Sequence, residues 1–419
     1  MRLHPRHRID ARGADVAFAA LACVVAGRRQ KLADSAERSW SPGGEAVACL
    51  SARSAFDLLL SALALPVGSE VLVSAVTIPA MAAILRDHGL VPVPVDLDPA
   101  TLAPKLDLLD RLVTVRTRAV LVAHLFGGRH DLAPVVDLCR RHGLLLVEDC
   151  AQSFRGLGDT GTAATDVSLF SFGPIKTATA FGGGLARVTD PDVRARMRRL
   201  QDAWPVQTRW AFAARVVRGA ALVALQHPVV YGVAATVAAR FGRPLDVIVS
   251  RAARSCPEGS GHRRRPSAPL LAVLRRRLTR FDGRRLAERA ARGEQAAKAL
   301  WSAVDVPGWR QDDRTWWLFG VAVERPARLV RRLRAAGFDA SGATSALTVV
   351  PAPPGRAEAA PIVAQRLLSR LVCLPVYPEL PEAALRRLLR VTLEEQVDGR
   401  SAPQPSMGSR ATARSPLST

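Results

Sequence analysis

One stretch limits what this chain can fold into more than any other: residues 143–184, GLLLVEDCAQSFRGLGDTGTAATDVSLFSFGPIKTATAFGGG. Leu144 to Val147 is a continuous apolar run, the pattern of a strand buried on both faces of a parallel sheet. Glu148 and Asp149 follow at its carboxyl end, where open α/β sheets bind ligands. A second apolar run, Val167 to Phe172, leads through Gly173-Pro174-Ile175 into Lys176, and three glycines follow at 182–184. The chain has only four lysines, Lys31, Lys105, Lys176 and Lys298, against a large excess of arginine. A lysine kept just beyond a buried strand points to chemistry that arginine cannot do, because lysine can lose its proton and form a Schiff base.

A carboxylate at one strand end, a lysine at another and a glycine run suggest a pyridoxal 5'-phosphate (PLP) site. Lys176 would hold the aldehyde, Asp149 would keep the pyridine nitrogen protonated, and Ser171 with backbone N–H groups would bind the phosphate. The bland reading is a generic pair of α/β strands with an incidental lysine. Three linked motifs weigh against it: Glu148-Asp149-Cys150-Ala151-Gln152, then Ser171-Phe172-x-x-x-Lys176, then Gly182-Gly183-Gly184. In this order they resemble the DegT family of PLP-dependent sugar aminotransferases.

The resemblance covers about 45–393 and implies a PLP-dependent transferase of fold type I. That fold is α/β, with a large domain built on a mostly parallel, seven-stranded type of sheet and a smaller C-terminal α+β domain. It also implies a homodimer, glutamate as amino donor and a keto-sugar nucleotide as acceptor. Lys176 argues against the dehydratase branch of the family, which carries His there. Gln152 would contact the ring or its oxygen. The family's Gly-Thr at the start of a phosphate-binding turn stands here as Ala52-Arg53, which leaves open whether Arg53 meets the phosphate. The aromatic residue that stacks on the ring in many members stands here as Ile78, able to give apolar contact only. His124, in a His-x-aromatic-Gly element, reads equally as a packed or a catalytic residue. The family's Asn-x-Arg segment is not found.

At 419 residues, 48% of them hydrophobic, the chain can bury a large core and reads as two domains rather than a disordered protein. A net charge of +22 raises nucleic acid as a partner, yet the arginines are dispersed and only 5% of residues are aromatic, so base-stacking platforms are sparse. Solvated arginine-rich helix faces explain the charge better, and no nucleic-acid partner is expected. The six cysteines, 23, 49, 139, 150, 256 and 373, match neither a zinc spacing nor a disulfide framework, which fits a reducing cytoplasm. No metal is expected. Ala14 to Gly27 mimics a signal peptide, but Arg28-Arg29 stands where a cleavage site would need small residues, so it reads as the buried face of a helix.

Along the chain, residues 1–13 read as basic and loose within an N-terminal helical segment, 1–45, with a polar connector before the first strand. The PLP-binding domain is expected at 46–205, with Ser51 capping a helix and a proline-bearing strand over 90–98 that is near an edge or locally irregular. Residues 206–268 form an apolar helical insert and a basic loop. Within it, 209–242 is apolar with arginines at both ends and broken by His227-Pro228. This hairpin is either buried at a contact or lies in a membrane interface; in the second case the protein would be membrane-associated and its substrate lipid-linked. A long arginine-rich helix is expected over 270–301, the small domain over 269–395 and a disordered tail over 396–419. Besides an aminotransferase, the altered 52–53 turn, Ile78 and the insert leave room for a non-catalytic, membrane-associated or regulatory protein on the same fold.

Overall fold

A computed structural model describes residues 2–241, 259–311, 313–342 and 347–400. The helices are α1 (Gly13–Val25), α2 (Arg29–Trp40), α3 (Ala52–Leu63), α4 (Pro79–Asp87), α5 (Leu106–Arg111), α6 (Ala133–His142) and α7 (Pro191–Asp202). They continue as α8 (Arg209–Ala224), α9 (Pro228–Arg240), α10 (Ala268–Thr279), α11 (Gly283–Leu300), α12 (Pro326–Ala335), α13 (Ile362–Arg370) and α14 (Glu382–Arg400). The strands are β1 (Ala46–Cys49), β2 (Glu70–Ser74), β3 (Val76–Thr77), β4 (Val91–Val95), β5 (Thr117–Ala123) and β6 (Leu145–Asp149). After them come β7 (Val167–Ser171), β8 (Gly184–Val188), β9 (Phe319–Ala322), β10 (Ser341–Gly342), β11 (Thr348–Val349) and β12 (Leu371–Leu374).

Seven strands form the main sheet, in the order β1-β8-β7-β6-β5-β2-β4. The neighbours from β7 through β4 run parallel, and β8 is antiparallel to both β7 and β1. Side chains alternate across the pleat. Val71, Val73, Ala119, Leu121, Val147 and Leu169 therefore join α3 and α4 in one core, while Leu72, Val120, Val122 and Leu146 join α6 in another. Each fully buried Leu or Phe in these layers contributes roughly 1.5–3 kcal/mol. The edge position of β4 accommodates Pro92 and Pro94, as its sequence requires. A three-stranded antiparallel sheet, β10-β12-β9, packs with α11, α12 and α14 around Trp316, Phe319 and Phe338. A mostly parallel seven-stranded sheet and an α+β C-terminal unit were both legible in the sequence.

Local signals also held. Ser51 Oγ accepts from Ser54 N at the start of α3, Asp190 caps α7 ahead of Pro191, and Gly143 ends α6 at φ 63°. Four expectations did not hold. Residues 3–11 are not loose: His4 bridges in parallel to Phe338, and Leu3, His4, Arg6, Ile9 and Ala11 are buried. The expected connector before β1 is largely α2, whose Trp40 seats under Phe170 at 5.2 Å. The long 270–301 helix is broken at 280–282, where Asp282 accepts from Arg285 N and starts α11. The last helix runs through 396–400, the first part of the expected disordered tail. The rest of that tail, 401–419, and residues 250–258 of the basic loop expected at 250–268 lie outside the described residues, as do 242–249.

The 209–242 segment is helical and broken at His227-Pro228: α8 and α9 meet at a bend of 106°. Among the described residues no single helix is long and apolar enough to cross a membrane, although this bent pair has the length and composition. Of the apolar run in α1, Ala19 and Ala22 are buried but Leu21, Val24 and Val25 are exposed, so the helix buries only one stripe.

Candidate functional site

The site forms at the carboxyl ends of β6 and β7, because parallel neighbours bring their ends to one edge of the sheet. Asp149 ends β6, with Ala123 and Leu169 beside it in register. Among the described residues its Oδ1 accepts only from Ala151 N, at 2.9 Å, and the side chain stays partly open. Burial pushes this carboxyl above its ordinary value, opposed by Ala151 N–H and by the Lys176 ammonium.

Lys176 follows β7 on a turn closed by Lys176 N to Gly173 O. Its ammonium lies 4.3 Å from the centre of the Trp317 ring. Burial lowers its pKa to about 8; Asp149 resists this and the Arg53 guanidinium adds to it. Lys176, Asp149 and Arg53 are thus close enough to act on one another's charge.

Ser171, Gly184 and Cys49 stand abreast across β7, β8 and β1, immediately before α3 begins. Gly184 has to be glycine: a Cβ there would lie 2.4 Å from the Ser51 carbonyl carbon and 2.5 Å from Ala52 N. The glycine run therefore docks β8 onto the start of α3. The N–H groups of Ala52 and Arg53, the first two of that helix, bond to no described residue, leaving the partial positive charge of the helix end available. The Ser171 side chain is partly exposed and also bonds to no described residue. A buried carboxylate open on one side, an amine beside it, and a helix N-terminus with free N–H groups next to a serine fit the pyridine nitrogen, aldehyde and phosphate of PLP.

Two expected residues also make contacts within the protein. Gln152 Oε1 accepts from Phe126 N at 2.9 Å, holding a turn in which Phe126 has φ 60°. Ile78 caps α4 and packs partly buried between two apolar cores, and no described contact ties it to Lys176. His124 is fully buried on Glu148 at 2.8 Å, which makes it a packed residue. Glu148 also accepts from Thr162 N, Thr162 Oγ1 and Ser168 Oγ. Burial pushes the Glu148 carboxyl up, but these bonds and His124 outweigh it and hold the group well below its usual range. His124, Glu148 and Cys150 converge as metal-binding residues would, yet the Glu148 oxygens already serve these four donors.

The sequence reading missed the opposite wall. Residues 6–10 cross the cleft above Lys176 as a strap, and Arg285, Arg289, Trp317 and Tyr377 complete its lining. His7 stacks on Trp317 at 6.3 Å, and burial with nearby Arg6 and Lys176 lowers its pKa to about 3, so it is neutral. Asp10 ties the strap down: it accepts from Ala178 N at 2.6 Å and pairs with Arg285 at 2.7 Å. The one available signal was Asp10 itself, an acid isolated in a basic run.

Residues 34–214 match the DegT/DnrJ/EryC1/StrS aminotransferase family. GDP-perosamine synthase of Caulobacter vibrioides is 37% identical over 162 residues, 37% of this chain and 43% of that protein. A dTDP-3-amino-3,4,6-trideoxy-alpha-D-glucose transaminase of Micromonospora megalomicea is 28% identical over 324 residues, 74% of each chain. For most such relatives the match spans about half of their length or less. The crystal structure of the aminotransferase TlmJ from Streptoalloteichus hindustanus aligns with TM-score 0.67 over 96% of this chain and 99% of that one. At 20% identity that likeness speaks for the fold alone.

Proposed function

We propose that this chain, whose residues 34–214 match the DegT/DnrJ/EryC1/StrS aminotransferase family, is a PLP-dependent aminotransferase acting on a keto-sugar. The observation that carries the reading is geometric: Asp149 ends β6 and Lys176 follows the adjacent parallel β7, so an acid and an amine stand at the same edge of the sheet. Bound PLP supplies an electron sink. Lys176 would hold the cofactor aldehyde, and its freed amine would be placed to act as the base toward the donor's α-carbon proton. Its lowered pKa keeps a substantial fraction of the amine neutral near pH 8, where a base must be. Asp149 keeps the ring nitrogen protonated. Ser171 and the N–H groups of Ala52 and Arg53 hold the phosphate, with Arg53 adding charge. Gln152 shapes the neighbouring turn through its bond to Phe126.

A nucleotide-linked acceptor agrees with the names of the relatives; glutamate as donor and a homodimer of two-domain chains, 46–205 and 269–395, rest on the family resemblance. The test is purified protein with PLP, glutamate and a panel of keto-sugar nucleotides, following the appearance of 2-oxoglutarate. Lys176→Ala should abolish both turnover and the visible absorbance of bound cofactor. An unchanged band in the variant removes Lys176 from this role. A colourless wild type that takes up no PLP favours a non-catalytic protein.

We also propose a cytoplasmic location with peripheral contact to an anionic membrane. Trp210 is 85% exposed and Val24 76%, and Arg209 ties them together by donating to Cys23, Val24 and Ala26 carbonyls. Residues 203–245 contain arginines but no acid, so the surface complements anionic headgroups. Liposome flotation reads this directly. Trp210→Ser should shed the protein from anionic vesicles, and equal recovery with neutral vesicles sinks the idea.

A further inference from the structure

Two cations beside Lys176 lack what buried cations normally have. Arg289 donates to Thr315 O and to Thr177 Oγ1, the residue next to Lys176, and makes no ion pair with any described carboxylate. Burial and the Arg285 charge bring its pKa down to about 10 against the pull of Asp10. Arg6 is only 8% exposed, has Ser341 Oγ as its hydrogen-bond partner, and its Nε bonds to nothing described. Buried guanidiniums are costly unless an anion faces them. The acids that line the same cleft are engaged elsewhere, Asp10 with Arg277 and Arg285, Asp282 with Arg12. Tyr377 lines it too, and its hydroxyl bonds to no described residue. The floor is the indole of Trp317, fixed by its N–H to Ile175 O at 3.0 Å.

We propose that Arg6 and Arg289, with the Tyr377 hydroxyl, bind a carboxylate of a dicarboxylic amino donor, so that the N-terminal strap is part of the substrate site. This rests on the aminotransferase reading given above. A planar carboxylate suits two guanidiniums and a phenol, all donors, and Lys176 lies within the same cleft to meet the donor's amine. The strap is held there by Asp10 and by the His4–Phe338 bridge, so Arg6 is delivered in a fixed position.

Glutarate is the probe, because it carries both carboxylates and no amine and so binds without the cofactor chemistry. Saturable thermal stabilisation of the full-length protein by glutarate is expected. Arg289→Gln and Arg6→Gln should each weaken it about tenfold or more, the loss of a charged hydrogen-bonded contact. Arg289→Lys should restore part of the affinity, and exposed Arg141→Gln should leave it unchanged. Near-ultraviolet ellipticity screens for variants that fail to fold, and Arg6→Gln keeps the test open if Arg289→Gln is one. Wild-type affinity in both variants overturns the proposal. So does stabilisation by inorganic phosphate without any by glutarate, which would assign the cations to an acceptor phosphate. The cofactor band is read separately: a band without a glutarate response removes this site alone, and a glutarate response without a band removes the aminotransferase reading and with it the donor role, leaving only a carboxylate site.

Discussion

Glu148 and Asp149 are neighbours on one strand, yet the pleat sends them to opposite faces of the sheet, and the two faces treat a carboxylate in opposite ways. On one face Glu148 is sealed from solvent and takes hydrogen bonds from His124, Thr162 and Ser168. On the other, Asp149 keeps an open side and a single backbone donor, with a lysine as its charged neighbour. The first arrangement is complete and can only hold the strand end in place. The second is incomplete, and a protonated ring nitrogen would complete it. Identical chemistry in adjacent residues becomes structural or functional according to how much of its hydrogen bonding the fold already satisfies.

The sharpest way to break the comparison is Asp149→Asn. It should lower amino transfer by about 10²–10³-fold, the scale for removing one preorganised electrostatic partner, while leaving the melting temperature nearly unchanged. The pH dependence gives a second reading. Cofactor uptake by wild-type protein should rise with pH through a midpoint near 8, as Lys176 loses its proton. Asp149 holds that midpoint up, so Asp149→Asn should move it lower. A midpoint that stays in place means the two groups are not coupled.

Glu148→Gln should do the reverse: a smaller loss of activity, with about 3 kcal/mol of stability gone, because a buried carboxylate loses its charge-assisted hydrogen bonds. Its folded pKa is depressed from an ordinary 4.5. Its stabilisation is therefore fully present above that pH and is lost as pH falls toward the folded value. Thermal melts of wild type and variant should converge in acid. A constant gap between them across pH would mean that packing, not charge, accounts for the loss.

The half of the molecule that obeys short-range rules was readable in advance. The buried run 144–147, the acid at its end, the Ser51 cap, the Gly143 stop and the Asp190-Pro191 start all depend on residues within a few positions of one another. Lys176 stood out because the chain is poor in lysine. Gln152 and Ile78 were assigned by position in a motif, which carries no information about their protein partners, the Phe126 N–H and two apolar cores, because these come from elsewhere in the chain.

The order of residues alone determined the main strands, several helix ends, and the candidate lysine and acid at 176 and 149, because those follow from periodicity, capping and the proton chemistry of single side chains. Only the tertiary structure decided that a basic N-terminal segment would lie across the cleft, that Trp317 would floor it, and that Arg6 and Arg289 would meet there from opposite ends of the chain. Contacts separated by hundreds of residues leave no local pattern. Their energy comes from burial and charge compensation, which exist only once the chain has closed on itself.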